Sequence, residues 1–198
     1  QGSVTSTGAA LQILPTADAG RLINLAIRTN GGSGAQTLIV GLAVGGAGTT
    51  GPKPLLVRGI GPSLTQFNLG GTMIDPIATM YQGTTIVGTN DNWGGAAAVE
   101  ARRAQVGAFA FASPTSLDAA LGVSPEVGSY TVQIAGANSG TGLALAEIYD
   151  ASAGVPAATT PRLINVSART QVGTGSNVLI AGFVIGGTTA RTVLIRGI

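Results

Sequence analysis

The chain has 198 residues, of which 32 are glycine, 9% are charged and 4% are aromatic. Its hydrophobic fraction of 44% is large enough for a folded core, so the composition excludes a disordered polar chain. A chain rich in Gly, Thr and Val rather than Glu, Lys and Arg is not expected to form a helical bundle. Cysteine and histidine are both absent, which excludes disulfides, the common zinc sites and catalytic pairs built on either residue.

Charge and hydropathy exclude two further classes of partner. Gly, Thr or Arg interrupts every apolar run well before the roughly 18 residues that a membrane span needs, so we expect no membrane span. A net charge of +2 is too small to indicate nucleic-acid binding. The charge is unevenly placed, because residues 75–150 carry seven acids and two arginines, whereas residues 151–198 carry four arginines and no acid. The basic tail can therefore meet the acidic middle, within one chain or between chains.

An internal repeat organises the chain. The sequence RLIN at 21–24 recurs at 162–165, an offset of 141 residues, and the similarity continues to residue 198 with one loop shortened by three residues. The two copies share 17 identical residues over the 37 residues of the second. The repeat predicts four segments: a leader at 1–20, a complete module at 21–150, an Ala/Pro/Thr-rich linker at 151–161 and an incomplete second repeat at 162–198.

Hydrophobic periodicity predicts an all-β fold, a β-sandwich of the jelly-roll kind. Short β-branched or leucine-rich runs recur between Gly, Pro and Asn turn signals, and YTVQI at 130–134 alternates apolar and polar residues. One helix is predicted at 96–106, where Ala, Glu, Arg and Gln predominate. The predicted strands are 22–28, 37–44, 55–57, 77–81, 84–88, 108–111, 117–123, 130–135 and 143–149.

Two segments carry a family resemblance. DPIATMYQGTTIVGTNDNW (75–93) and GSYTVQIAGANSGTGLALAEIYD (128–150) resemble the bacterial pre-peptidase C-terminal type of β-sandwich. The stretch from RLINLAIR through LLVRGIGPSL to NDNWG is similar to repeats found in tandem in large exported proteins of environmental bacteria. The resemblance implies a non-catalytic module, extracellular or on the bacterial cell surface. Low charge, a single lysine and abundant threonine agree with export.

Calcium is the one cofactor that the sequence suggests. Ca²⁺ takes six to eight oxygen ligands, and Asn90, Asp91 and Asn92 concentrate side-chain oxygens in one segment. Asp75 or Asp118 would have to converge on Asp91 to complete a site. The alternative is that these Asp and Asn residues hold turns through their own side chains.

Nothing in the sequence indicates an enzyme. GAGTTG at 46–51 matches a dinucleotide-binding pattern, but proline and a strand follow it where a helix would be required, so a hairpin loop is expected. The acidic residues could supply a carboxylate pair for glycoside hydrolysis, yet the chain offers few of the aromatic platforms that sugar clefts use. Trp93 and Tyr81 are expected to be core anchors.

The leading functional hypothesis is a structural repeat that assembles head to tail into an extracellular filament or tandem array. Residues 162–198 are too few to bury their own apolar face, so strands from another copy are expected to complete them. The leader segment 4–14 is a candidate donor strand. Three alternatives stay open: the tail packs on its own chain's first module, the chain is a segment of a longer array, or it is an ancillary substrate- or polysaccharide-binding domain of a larger secreted hydrolase.

Overall fold

The computed structural model describes residues 18–198, apart from the side chain of Ser176. The candidate donor segment 4–14 lies outside the described residues. Strands predominate, which confirms the all-β class, and one α-helix of the described part matches the prediction at 96–106. The elements are β1 (Arg21–Gly31), β2 (Leu38–Gly45), β3 (Leu55–Ile60), β4 (Pro76–Gln82), β5 (Thr85–Asn90), α1 (Ala97–Val106), β6 (Ala119–Val123), β7 (Gly128–Gly136), β8 (Gly142–Asp150), β9 (Arg162–Arg169) and β10 (Ile180–Gly186).

The ten strands form one antiparallel sheet that curls almost into a barrel. One half has the order β5-β4-β7-β2-β9, and the other has the order β10-β1-β8-β3-β6. β1 and β9 join the halves through the single pairing of Leu22 with Leu163. At the opposite end β5 lies beside β6, with Gly88 packed against Leu121 and Val123. The two halves face each other as the layers of a sandwich do.

The main core lies between the two halves. Alternate residues of each strand point into this core. In β2 the buried residues are Leu38, Val40, Leu42 and Val44, and the three residues between them are partly exposed. A second apolar cluster covers the outer face of β3, which explains why every residue of β3 is buried. Its buried members are Leu56, Ile60, Leu64, Trp93, Val99, Phe111 and Ala120.

The predicted strand at 108–111 is wrong. These residues have no strand assignment. Phe111 is buried in the cluster on the outer face of β3, and Ala108 is also buried. The ring of Phe111 lies 4.9 Å from that of Trp93, whose Nε1 donates a hydrogen bond to the Ser113 carbonyl at 3.1 Å. A short apolar run has the same composition whether it pairs in a sheet or covers one, so composition misassigned it.

The second repeat is only partly formed into strands. Residues 151–161 hold no helix or strand, and β9 and β10 correspond to β1 and β2 of the first copy. Residues 193–198, which correspond to the buried β3, carry no strand assignment and are exposed throughout. Within residues 18–198, no helix has the length and apolar character to cross a membrane.

A buried ion pair joins β3 to β8. Arg58 and Glu147 stand directly opposite each other across the two strands, and their side chains approach to 3.1 Å. Arg58 is 0% exposed, Glu147 is 5% exposed, and the Tyr149 hydroxyl donates to the Glu147 carboxylate at 2.9 Å. Burial raises the pKa of Glu147 despite the opposing effects of Arg58 and Tyr149, and burial lowers the pKa of Arg58. Burial therefore disfavours the charged form of each partner.

We expect the two partners of this pair to be strongly coupled. Arg58→Met or Glu147→Leu alone leaves an unpaired buried charge and should lower the free energy of unfolding by about 3–5 kcal/mol. The double variant removes both charges and should cost much less than the sum. Urea unfolding of the four proteins measures the coupling, and an additive double variant would contradict it.

Candidate functional site

The interface between the two copies of the repeat is formed by two strand pairings. The second copy contributes one strand to each half of the sheet: β10 pairs with β1, and β9 pairs with β2. The tail therefore has the intramolecular arrangement, packed on its own chain's first module.

The two pairings are related by a local twofold axis. Arg21 opposite Gly186 becomes, after a shift of 141 residues, Arg162 opposite Gly45. Both ladders break register at the same place, after Leu22 in one and after its equivalent Leu163 in the other, and these two leucines pair with each other. The remaining matched pairs are Leu22–Ile185 with Leu163–Val44, Asn24–Val184 with Asn165–Ala43, Leu25–Phe183 with Val166–Leu42, Ala26–Gly182 with Ser167–Gly41, Ile27–Ala181 with Ala168–Val40, and Arg28–Ile180 with Arg169–Ile39.

The two pairings differ in their side-chain contacts. A Cβ placed on Gly41 would lie only 2.6 Å from the Ser167 Oγ, whereas a Cβ on the equivalent Gly182 would meet nothing within 4 Å. The Asn30 amide donates to the Asn177 amide oxygen at 2.5 Å, and the Gly20 N–H donates to the Thr189 hydroxyl at 2.9 Å. Glycine at 41 thus permits the close approach of β9.

A charged cluster fixes the end of β8 beside this interface. The Lys53 Nζ lies 2.5 Å from the Asp150 carboxylate and 2.9 Å from the Ser152 hydroxyl, and Lys53 is fully buried. The Arg21 Nε is 3.9 Å from Asp150, and Arg21 also pairs with Asp18. Burial lowers the pKa of Lys53 although Asp150 opposes that shift. The Asp150 carboxylate therefore lies close to the positive side chains of Arg21 in β1 and of Lys53 in the segment before β3.

The structure brings together two of the three candidate calcium ligands. The pKa of Asp75 is raised above its ordinary value. The main cause is burial, and the charge of Asp91 and a hydrogen bond with Asp91 add to it. Asn90 is engaged in turn structure, since its amide oxygen accepts from the Ala120 N–H at 2.8 Å and its amide nitrogen donates to the Asn92 carbonyl at 2.9 Å. Among residues 18–198, no group of three or more His, Cys, Asp or Glu is placed to hold a metal ion.

The structure places Asp118 elsewhere, as a fully buried anchor for the loop after β3. Its carboxylate accepts from the Gly61 N–H at 2.8 Å, from the Ser63 N–H at 3.2 Å, and from the hydroxyls of Ser63 and Ser116. The Ser63 hydroxyl accepts in turn from the Ala112 N–H at 2.8 Å. Every acceptor direction of Asp118 is used inside the protein, so its role is to join segments 61–63 and 112–118.

Two surface depressions of residues 18–198 lack the aromatic platform that a sugar cleft uses. One, of about 330 Å³, is lined by Gly34, Ala35, Thr37, Ile39, Arg169 and Thr170. The other, of about 460 Å³, is lined by Pro62, Thr65, Thr72, Ile74, Ala112, Ser113, Thr115, Ser116 and Leu117. Neither lining includes an aromatic ring, and Trp93 is buried.

Sequence reasoning expected Arg58 to pair with the acidic region 75–150, as it does with Glu147. It did not identify the buried Lys53, and it named Asp118 only as a candidate calcium ligand. Two signals pointed to Arg58 and Lys53: the first recurs as Arg196 in the second copy, and the second is the chain's single lysine. Asp118 gave no such signal, because its partners are backbone N–H groups and hydroxyls that only the folded loops bring together.

No family model, no curated protein and no solved structure matches the chain. The resemblance to pre-peptidase C-terminal modules therefore stays a prediction. Function has to be inferred from the repeat and from the strand pairing that it makes.

We expect Asp118→Asn to lower the free energy of unfolding by about 2–4 kcal/mol, because several buried donors lose a charged acceptor. Thermal and urea unfolding measure the loss. Glu126→Gln is the matched control, since the Glu126 side chain is exposed and its change should have little effect. Equal stability of Asp118→Asn and the parent chain would show that the loop anchor is unimportant.

The paired carboxyls Asp75 and Asp91 predict a pH effect. The pKa of Asp75 is higher in the folded chain than in the unfolded chain. The free energy of unfolding therefore falls as the pH rises from the unfolded-state pKa through the folded-state pKa. Asp91→Asn should therefore lower the pKa of Asp75, measured by NMR titration, and raise stability at pH 7. An unchanged Asp75 titration would contradict the pairing.

The calcium prediction is tested at the same pair. Calcium bound to the folded state would raise the melting temperature of the parent chain and not that of Asp91→Asn. Melting curves of the parent chain that coincide in excess calcium and in chelator would remove the site.

Proposed function

We propose that the chain is a non-catalytic structural repeat of an extracellular or cell-surface bacterial protein, whose units join to one another by strand pairing. The observation that supports this is the twofold relation of β1·β10 to β2·β9, residue for residue. Such a match means that the RLIN strand of each unit is complementary to the second strand of the other unit. The composition of the chain supports the exported location, and so does the resemblance of residues 75–93 and 128–150 to pre-peptidase C-terminal modules.

The pairing that occurs within the chain can be made equally well between chains. β9 and β10 follow a stretch, residues 151–161, that holds no helix or strand and can act as a hinge. When the same element pairs in another copy, all contacts at β1 and β2 are retained, so exchange costs little enthalpy. The exchanged chain links head to tail with its neighbour.

The geometry of exchange determines the product. Reciprocal exchange of β9 and β10 between two chains closes a dimer, whereas successive exchange along a row gives an open filament. The basic tail and the acidic region 75–150 favour one polarity of the row, because opposite charges then meet. Head-to-tail assembly through the tail is therefore the form that we propose.

We expect the parent chain to assemble in a concentration-dependent manner, measured by light scattering and negative-stain microscopy. Gly41→Val should weaken that assembly at least about tenfold, because the added side chain takes the space of Ser167 and excludes β9 from β2 in the exchanged and the closed form alike, which leaves an open chain. The equivalent Gly182→Val is the matched control, since the space beside Gly182 is open.

Two outcomes would contradict the proposal. A parent chain that stays monomeric at every concentration removes self-assembly. Assembly of Gly41→Val at the parent level, with Gly182→Val unchanged too, would place the joint between units away from β2 and β9.

A further inference from the structure

The second copy leaves exposed what the first copy buries. β3 is buried at all six positions, whereas its counterpart 193–198 lies in solvent, with Leu194 84% exposed. Ile180, Phe183 and Val184 of β10 are exposed as well. An exposed apolar surface of this kind, next to strand edges, is typical of an interaction site.

The free edges are defined by comparison with the first copy. β1 has β10 on one edge and β8 on the other, and β2 has β9 on one edge and β7 on the other. In the part of the chain that the structure describes, β9 is paired along one edge with β2, and β10 along one edge with β1. Under the twofold relation, the open edge of β9 is equivalent to the edge of β1 that pairs with β8.

The arginines of the tail match cations that β8 neutralises. Beyond the shortened loop the two copies align with an offset of 138, so Arg191 and Arg196 take the places of Lys53 and Arg58. Lys53 pairs with Asp150 at 2.5 Å, and Arg58 pairs with Glu147 at 3.1 Å.

A third tail arginine follows the same rule. Arg162 takes the place of Arg21, whose Nε lies 3.9 Å from Asp150. Three of the four tail arginines therefore correspond to partners of a single strand, β8, through its Glu147 and Asp150. A strand that paired with β9 and carried those two carboxylates would meet all three.

We propose that β9, β10 and residues 192–198 are the acceptor surface for an acidic strand of the β8 type, with Glu and Asp spaced as Glu147 and Asp150 are, supplied by a further copy of residues 61–150. This inference rests on the proposed function. A strand of the β7 type from the same copy covers β10. The β8 strand of an intact unit cannot serve, because β1 and β3 occupy both its edges.

The test extends the full chain with a second copy of residues 61–150 after residue 198. We expect amide exchange in β9, β10 and 192–198 to slow at least about tenfold relative to the parent chain, because their free edges become paired. Binding of a hydrophobic dye should fall. Unchanged exchange in these three segments would overturn the inference.

Charge recognition has its own variants. In the extended chain, Glu147→Gln made only in the appended copy should restore most of the fast exchange in 192–198, whereas Glu126→Gln in that copy should not. Arg196→Met should have the same effect in the extended chain. Because Arg196 is exposed, this change should leave exchange in the parent chain unaltered. Protection that is insensitive to both Glu147→Gln and Arg196→Met would overturn the acidic-strand assignment.

The two proposals fail separately. Protection of β9 and β10 in the extended chain, with a parent chain that never assembles, removes the proposed function and supports the acceptor surface. If the parent chain assembles and Gly41→Val weakens that assembly, but amide exchange in β9 and β10 of the extended chain stays fast, the proposed function is supported and the acceptor surface is removed.

Discussion

Unpaired strand edges are the constraint on which this structure depends. β1 and β2 would each end one half of the sheet, so a single unit of the repeat presents two adjacent edges of free N–H and C=O groups. At the far end the same difficulty is met by bringing β5 beside β6. At the near end β9 and β10 cover the two edges, which shows why a second copy of the same two strands is useful to the fold.

The twofold relation limits how far such pairing can go. A joint in which each unit uses the same two strands is isologous, so it is satisfied by two units and does not by itself propagate. A row longer than two units requires that the tail be exchanged between chains. When β9 and β10 cover β1 and β2, the open edges of the sheet become those of β9 and β10. In the first copy, β8 pairs with the edge of β1 that is equivalent to the open edge of β9.

Sequence patterns predicted most of the strands and α1, because alternation and turn residues act locally. They failed at 108–111, where apolar residues cover a sheet rather than pair in one. The site was harder to predict. The recurrence of RLIN revealed two copies, but not that the copies pair with each other, because register between distant strands is a long-range property. For the same reason Asp118 was predicted as a candidate calcium ligand, although its carboxylate accepts hydrogen bonds from N–H groups and hydroxyls of Gly61, Ser63 and Ser116.

The buried pair of Arg58 and Glu147 has a role that hydrophobic residues could not fill. β3 is apolar on both faces, so a slip of one residue against β8 would still bury apolar side chains and would cost little by pattern alone. Arg58 stands directly opposite Glu147, and such a slip would separate two desolvated charges. The pair therefore sets the register of β3 against β8. Arg196 carries the same device into the second copy, where it selects for a strand with a carboxylate in the matching place.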